Sequence, residues 1–156
     1  MGGERLLTSG EVALARTMFG DAIDYGAVMI RRRKWFPFQS RKVAMAPCGH
    51  IHFHPHGDLY CADFSDAGAS LQGLFIHEMT HVWQAQINGR WFVPLRRLVS
   101  SRYDYSLKPG WRLERYGVEQ QAEIVRHAFM LRGGMAVRGV SDRTAYDYLV
   151  NFSGAG

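Results

Sequence analysis

The chain has 156 residues, of which 47% are hydrophobic and 21% are charged, and its formal net charge at pH 7 is +5. This composition predicts one folded domain spanning residues 1–156 and argues against a disordered chain. No apolar run approaches the roughly 20 residues of a membrane-spanning helix, and the N-terminus lacks the pattern of a signal peptide. We therefore expect a cytoplasmic protein without membrane association, exported only by a route that reads no such signal.

The first predicted elements are a helix, a strand and an aromatic run. A helix is expected over Ser9–Phe19, because Thr8 and Glu11 have the spacing of a capping box. A strand is expected over 27–31. The run 35–38, Trp-Phe-Pro-Phe, contains a proline that interrupts strand pairing. Its aromatic side chains are predicted either to plug the core or to line a cleft, and the core plug is favoured.

The next segment is rich in histidine. Residues 41–46 and 50–54 are predicted to form the two strands of a hairpin. Four histidines lie along the second strand and just beyond it: His50, His52, His54 and His56. Strand alternation puts the first three on one face, where they could bind a metal. No acidic residue in a known metal-binding pattern accompanies them, so we favour a half-exposed strand at the edge of the substrate cleft.

Two further groups of residues have a structural and a functional interpretation. Cys48 and Cys61 match no zinc-binding spacing and are expected to be free thiols, with a disulfide as the less favoured alternative. The basic run 31–34 could bind phosphate or nucleic acid. No nucleic-acid-binding motif accompanies it, so we favour the solvated end of a strand and disfavour a nucleic-acid partner.

A long helix is predicted from about residue 65 to residue 88, and it carries His77-Glu78-x-x-His81. Residues four apart lie on one face of a helix, so His77 and His81 can bind one ion. Glu78 can then take a proton from a water molecule that the ion activates. The other residues of this helix are mainly apolar, and burying three polar side chains among them is costly unless they are ligated or hydrogen-bonded.

The rest of the chain is predicted to contain a connector, a loop and two helices. The connector covers 91–98 and the loop covers 100–110. A helix is expected over 119–131, and a short helix over 142–150 closes the core.

The third metal ligand decides the class of site. A metzincin is excluded because Gln84 and Ile87 occupy the positions of its glycine and its third histidine. Glu119 and His127 remain, and at eight residues apart (127 − 119) they lie roughly 12 Å from each other along a helix, too far to share one ion. Glu119 is favoured because Glu123, one turn later, can accept the free ring N–H of a ligating histidine.

These motifs carry two resemblances. His77-Glu78-x-x-His81 with Glu119-x-x-Ala122-Glu123 resembles the gluzincin branch of the zincin metallopeptidases. That resemblance implies an α+β, zincin-like fold, with a small mixed or antiparallel sheet packed on the active-site helix and on a second helix that bears a ligand. The last position is usually aspartate in that branch and is glutamate here. The stretches 33–38, 74–84 and 116–125 also resemble small bacterial Vgr-related proteins, which implies a link to type VI secretion.

The expected function is hydrolysis of a peptide bond in a peptide or protein substrate. A Zn²⁺ ion would be held by His77, His81 and Glu119, with Glu78 as the general base. The alternative is a catalytically inactive binding or adaptor module on a zincin scaffold, with a partner in the secretion system.

A further donor is needed for the oxyanion of the transition state. Three tyrosines between the expected ligands could supply it: Tyr103, Tyr105 and Tyr116. Tyr105 is the favoured candidate.

Overall fold

Helices and short strands alternate along the chain in the computed structural model, which describes residues 3–152. The expected α+β class is confirmed, and Met1 and Gly2, at the start of the segment inspected for a signal peptide, lie outside the described residues. The elements are β1 (Glu4–Leu6), α1 (Ser9–Phe19), β2 (Met29–Arg31), β3 (Ile51–His52), α2 (Ala69–Asn88), α3 (Phe92–Val99), α4 (Val118–Arg132) and α5 (Thr144–Leu149). Single 3₁₀ turns lie at Tyr25–Ala27, Phe64–Asp66 and Leu113–Arg115.

Helix α1 has the predicted bounds, because its capping box forms. The Thr8 hydroxyl accepts a hydrogen bond from the backbone N–H of Glu11 at 3.0 Å, and the Glu11 carboxylate accepts one from the backbone N–H of Thr8 at 2.9 Å. The two bonds satisfy donors that the first turn of a helix leaves free. Gly20 ends the helix with φ 54°, a left-handed conformation that favours glycine.

The Glu11 side chain also joins α1 to two distant segments. It is 0% exposed, and its carboxylate oxygens accept hydrogen bonds from both terminal nitrogens of Arg5, each at 2.9 Å. The backbone N–H of Phe64 donates a further bond at 3.0 Å. A single buried carboxylate therefore holds β1 and the 3₁₀ turn at Phe64–Asp66 against α1.

The sheet is small and mixed. Strand β1 pairs with β2 in antiparallel fashion, and β2 pairs with β3 in parallel, with Ile30 opposite Ile51. The strand predicted over 27–31 is shorter than expected, because its first residue belongs to the 3₁₀ turn at Tyr25–Ala27.

The predicted hairpin of 41–46 and 50–54 is wrong in extent. Only Met45 pairs with His52, through backbone bonds of 3.0 and 2.7 Å in the two directions. The Gln39 side-chain amide donates to the carbonyl oxygens of Val43 and His52, 3.0 Å from each, and so occupies at Val43 an acceptor that a longer ladder would use. Strand β3 pairs mainly with β2 on its other side.

Most bounds of the later helices agree with the prediction, whereas the start of α2 and the segment 91–98 differ from it. Helix α2 ends at Asn88, α4 ends at Arg132 and α5 covers Thr144–Leu149, all close to prediction. The predicted start of α2 near residue 65 is instead a separate 3₁₀ turn, and α2 begins after Gly68. The predicted connector over 91–98 is helix α3.

The core lies between the sheet and the crossing helices α2 and α4. Phe53, Phe64 and Phe75 stack through it, with successive ring centroids 5.5 and 5.3 Å apart. The favoured core plug at 35–38 is wrong, since Phe38 is 88% exposed. Phe36 and Phe38 instead line a cavity over α2. The alternation Ile51–Phe53 puts these apolar residues in the core, as predicted.

The cysteines and the apolar character of the helices were also predicted from the sequence. Cys48 and Cys61 are free, as predicted, and both are half-buried. Among the helices described in 3–152, none combines the length and apolarity that crossing a membrane requires.

Candidate metal centre

His77, His81 and Glu119 come together where α2 crosses α4. Helix α2 presents the two histidines one turn apart, and Glu119 faces them from the first turn of α4. The Nε2 atom of His81 lies 2.7 Å from Oε1 of Glu119, and Nε2 of His77 lies 3.5 Å from Oε2. One ligand atom from each side chain lies within 4.8 Å of the other two. The three predicted ligands therefore converge, and binding of an ion by them remains a prediction.

The chemistry of this donor set fits zinc. Two imidazole nitrogens and one carboxylate oxygen are a common set for catalytic Zn²⁺, which keeps its fourth position for water or substrate. Burial alone would raise the pKa of Glu119, but hydrogen bonds with His77 and His81 outweigh it and hold the pKa well below its usual range. The carboxylate is therefore in the ionised form that a metal ion requires.

Gln84 fixes the orientation of His81. Its Oε1 atom lies 2.8 Å from Nδ1 of His81, while its Nε2 donates to the Val118 carbonyl at 3.1 Å and to Oε1 of Gln121 at 2.9 Å. Because the amide nitrogen is committed to two acceptors, Oε1 must accept, and Nδ1 of His81 carries its proton. Nε2 of the same ring lies 2.7 Å from Oε1 of Glu119, so it can bind an ion only after it gives up the proton that it shares with this carboxylate. The sequence analysis missed Gln84, although its spacing three residues after His81 is a signal for such a contact.

Glu78 lies in the same buried cluster but is not a member of the convergent triad. It lines a cavity of about 230 Å³ together with His77, His81 and Glu119. Its Oε2 atom is buried and has no hydrogen-bond partner among the described residues. Burial raises the pKa of Glu78. A buried carboxylate oxygen that faces a cavity and is free of other bonds can exchange a proton with a molecule held there.

Tyr103 and Arg97 also line this cavity. The Tyr103 ring stacks on His77, with centroids 5.9 Å apart and planes at 18°. Burial, and then its hydrogen bond with Glu119, raises the pKa of Tyr103. Nε of Arg97 lies 4.0 Å from Oε1 of Glu119. Arg97 is not among the residues predicted for the site, because its segment was interpreted as a connector rather than as helix α3.

The structure does not bring Tyr105 or Tyr116 to the triad. The Tyr105 hydroxyl lies 2.6 Å from Nδ1 of His127 and 2.8 Å from the Tyr146 hydroxyl. The Tyr116 hydroxyl accepts a hydrogen bond from the backbone N–H of Lys108 at 2.8 Å. The prediction of Tyr105 as the oxyanion donor is therefore corrected: Tyr103, and not Tyr105, lies beside the triad. The two lie close together in one loop, but Tyr103 lines the cavity over Glu78 and Tyr105 does not; both line a second, neighbouring cavity.

Glu123 lies behind His77, where the sequence analysis expected it, but not in direct contact. Its Oε1 atom is 3.8 Å from Nδ1 of His77 and 3.8 Å from a terminal nitrogen of Arg126. Its Oε2 atom is 3.7 Å from Nε2 of His127. These distances exceed that of a hydrogen bond. His127 itself bonds Tyr105 and is not part of the convergent triad.

The four histidines do not border the cavity over Glu78, which corrects the predicted cleft edge. His50 and His52 line a different cavity, while residues 43–47 line the one over Glu78. His52 is buried rather than half-exposed, and its backbone is bridged to Met45. Residues 43–47, and not the predicted 50–54, therefore form the edge of the cleft.

Comparisons with known proteins show to which family the chain belongs. No protein-family model matches the chain. The chain is 40% identical over 149 residues to the type VI secretion system spike protein VgrG2b of Pseudomonas aeruginosa. It superposes on the solved effector domain of that protein with a TM-score of 0.78 and 38% identity, covering 94% of this chain and 83% of the domain. The chain belongs to the VgrG2b effector-domain family.

Membership of the VgrG2b effector-domain family confirms the Vgr-related resemblance and the bacterial character expected from the sequence. The match to the spike protein covers 90% of this chain but only 14% of the length of VgrG2b. It is therefore the effector domain of VgrG2b, rather than the whole spike protein, that this chain resembles. Membership of the gluzincin branch and a zincin-like architecture stay predictions that rest on the two motifs.

Proposed function

We propose that this chain is an effector domain associated with a type VI secretion system and that it hydrolyses peptide bonds with a bound zinc ion. The relationship to VgrG2b supports the secretion association and a partner in the secretion system. It carries no information about catalysis. The hydrolytic part rests on one observation, the buried Glu78 carboxylate with a free Oε2 beside three convergent ligand atoms. A cytoplasmic location stays a prediction, because the proposed association implies export.

In the proposed reaction each nearby side chain has a separate task. His77, His81 and Glu119 hold the ion. Zinc bound there supplies a Lewis acid and lowers the pKa of a water molecule toward neutrality. Glu78 accepts the proton of the attacking water on its free oxygen and returns it to the leaving amine. The burial of Glu78 keeps competing solvent away from this proton.

The cavity walls suggest how a peptide would lie. Met45 directs its backbone N–H and C=O toward His52, so strand alternation turns the corresponding groups of Ala44 and Ala46 to the other side. Those two residues line the cavity over Glu78. An extended peptide could pair with this edge, as in other cases where a peptide adds a strand to a sheet. Tyr103 and Arg97, which line the same cavity, are the donors that could stabilise the oxyanion.

The decisive experiment measures zinc content and peptidase activity of the wild type and of Glu78→Gln. We expect both proteins to bind one zinc ion and the variant to lose hydrolysis by at least about 100-fold, the usual contribution of a general base. Glu114→Gln, at an exposed site, is the control for loss of a carboxylate. A wild type that is fully loaded with zinc and inactive on a broad peptide library would refute hydrolysis.

Ligand assignment needs a second pair of variants. Glu119→Ala should abolish zinc binding, because it removes one of three donors, whereas His127→Ala should retain it. The opposite result would overturn the ligand set. Circular dichroism of both variants distinguishes loss of the ion from loss of the fold.

An inactive binding or adaptor module is the second candidate, and the relationship to VgrG2b supports its secretion association equally well. In such a module the three ligands would at most hold a structural ion, and the Glu78 carboxylate would have no catalytic role. It predicts that Glu78→Gln behaves like the wild type in every assay, including toxicity to cells that receive the domain. A difference in toxicity between the two proteins would exclude it.

A further inference from the structure

Two sequence motifs that the metal centre does not use line a single cavity. The basic run 31–34 and the histidine-rich stretch around β3 both contribute to a cavity of about 680 Å³. None of its lining residues also lines the cavity over Glu78. The parallel pairing of β2 with β3 explains the convergence, because it places Arg31 directly opposite His52. This cavity, which we call the basic cavity, is therefore separate from the candidate metal centre.

The basic cavity carries an excess of positive charge. Four cationic side chains line it: Arg31, Arg33, Lys34 and Arg90. Among the described residues, the carboxylate that pairs with them is Glu4, whose Oε1 lies 3.3 Å from Nε of Arg31 and 3.0 Å from a terminal nitrogen of Arg33. Lys34 donates to the carbonyl of Pro37, which is uncharged. One carboxylate against four cations favours an anionic ligand.

Buried polar atoms at this cavity have no hydrogen-bond partner within the described part of the chain. His52 is only 5% exposed, and its Nδ1 atom is buried without a partner. Nε of Arg31 is also buried and makes no hydrogen bond, although Glu4 is nearby. Nearly all buried polar groups in folded proteins are bonded to protein, water or a ligand. Nδ1 of His52, which has no partner, and Nε of Arg31, which has only the Glu4 carboxylate at 3.3 Å, lie on paired residues of one charged cavity and indicate a place that a ligand completes.

Aromatic side chains form the remaining part of the wall. Trp35 and Trp91 both line the basic cavity, and they are 39% and 54% exposed. Exposed tryptophan rings beside arginines offer a flat surface for an aromatic ring. Guanidinium groups bind phosphate through two parallel N–H donors, and a neutral histidine can add one further N–H.

We propose that the basic cavity binds the phosphate group of an organic phosphate whose ring lies against the tryptophans. Arg33 and Arg90, at the exposed rim, contact the phosphate oxygens, and His52 with Arg31 completes the inner side. The phosphate could belong to a free nucleotide-like molecule or to a lipid headgroup. The two sources share the phosphate group, and of the two probes named below only the nucleotide has a ring that can lie against the tryptophans. The proposal does not depend on zinc binding or on hydrolysis.

The test is a binding titration of the full chain by calorimetry with four probes: AMP, adenosine, inorganic phosphate and vesicles of phosphatidylglycerol. We expect AMP to bind and adenosine not to bind, with inorganic phosphate weaker than AMP. Arg33→Gln and Arg90→Gln should each weaken AMP about tenfold, because each removes a charged hydrogen-bond donor. Arg16→Gln, which removes an exposed arginine outside the basic cavity, should leave AMP affinity unchanged.

Trp91→Ala separates the two halves of the proposed site. It should weaken AMP and leave inorganic phosphate unchanged, since it removes the flat surface and no charge. Vesicles that bind more tightly than AMP, with the same sensitivity to Arg33→Gln and Arg90→Gln, would support the phosphate site with a lipid as its source and would overturn the ring contact with the tryptophans. Failure of AMP, phosphate and vesicles to bind would overturn the proposal. Binding that is equal in wild type and in both arginine variants would overturn it as well.

Discussion

The Nδ1 atom of His81 lies 2.8 Å from the side-chain oxygen of Gln84, which is itself held by Val118 and Gln121. This buried chain of amides fixes both the tautomer and the ring plane of one predicted ligand. Groups that orient a metal-binding histidine usually contribute strongly to metal affinity. The contact therefore connects the packing of α2 on α4 to the chemistry of the candidate metal centre.

Replacing Gln84 by leucine should weaken zinc binding while keeping the volume of the side chain. We expect about a 10- to 100-fold loss of zinc affinity, measured by competition with a chromophoric chelator. Gln86→Leu, an exposed site on the same helix, is the matched control and should retain wild-type affinity. Equal affinity in Gln84→Leu and the wild type would show that His81 needs no such support.

The two tyrosines of the 100–110 loop should behave differently in a peptidase assay. Tyr103→Phe should lower kcat by roughly 10- to 1,000-fold, the usual range for loss of an oxyanion donor. Tyr105→Phe should leave kcat near that of the wild type, because its hydroxyl contacts His127 and Tyr146 instead. Its effect should be on stability, by about 1 kcal/mol. The reverse order of effects on kcat would restore Tyr105 as the donor.

Acid should destabilise the fold through His52. Burial, together with the charge on Arg31, lowers the pKa of His52 from 6.5 to about 4. The unfolded chain therefore binds this proton more readily than the folded chain, so stability falls as pH decreases from 6.5 and stops falling below about 4. This group accounts for up to about 3 kcal/mol of that loss.

The measurement is the free energy of unfolding in urea at several pH values between 7 and 4. His52→Gln removes the titrating group, so the free energy should fall less steeply with acid than in the wild type. His56→Gln removes an exposed histidine near the same segment and should keep the wild-type slope. Identical slopes in wild type and His52→Gln would contradict the assignment.

Glu11 should be one of the most sensitive positions in the chain. Glu11→Ala leaves the Arg5 guanidinium partly buried without its partner and removes a bond to the Phe64 amide. We expect a loss of about 3–5 kcal/mol in the free energy of unfolding, as for other broken buried pairs. Glu114→Ala, at an exposed site, should cost much less. Thermal denaturation of the three proteins provides the comparison.

The sequence predicted the helices better than the strands because helices are specified locally. The capping box of Thr8 and Glu11 gave the start of α1, and Gly20 and Gly89 gave the ends of α1 and α2. Strands β2 and β3 contain three and two residues. These are too few for an alternating pattern to show where each strand begins and ends. The predicted pairing of 41–46 with 50–54 also stops early at Gln39, a residue outside both segments whose amide donates to the carbonyl oxygens of Val43 and His52.

Helix α3 was missed for a different reason. Pro94 lies within Phe92–Val99 and suggests an irregular connector. It occupies the first turn of α3, where backbone N–H groups have no intrahelical acceptor, so the missing N–H of proline does no harm. Arg97 lines the cavity over Glu78, and it was not predicted because the helix that positions it was not predicted.

Convergence of His77, His81 and Glu119 was predictable because helical spacing fixes the first two, and the second motif supplies the third. The choice between Tyr103 and Tyr105 was not predictable. Both lie in a loop without regular dihedral angles, and the direction of each side chain depends on which neighbour it meets. Tyr103 meets His77, and Tyr105 meets His127.

The distribution of the three candidate ligands along the chain sets an order of events. A helix alone brings His77 and His81 together, whereas Glu119 follows His81 by 38 residues (119 − 81) and arrives only when α4 docks on α2. An ion that needs all three donors has high affinity for the folded chain and low affinity for the unfolded chain. Removal of zinc by a chelator should then lower the melting temperature, and a chain that has been unfolded must refold before it can be reloaded.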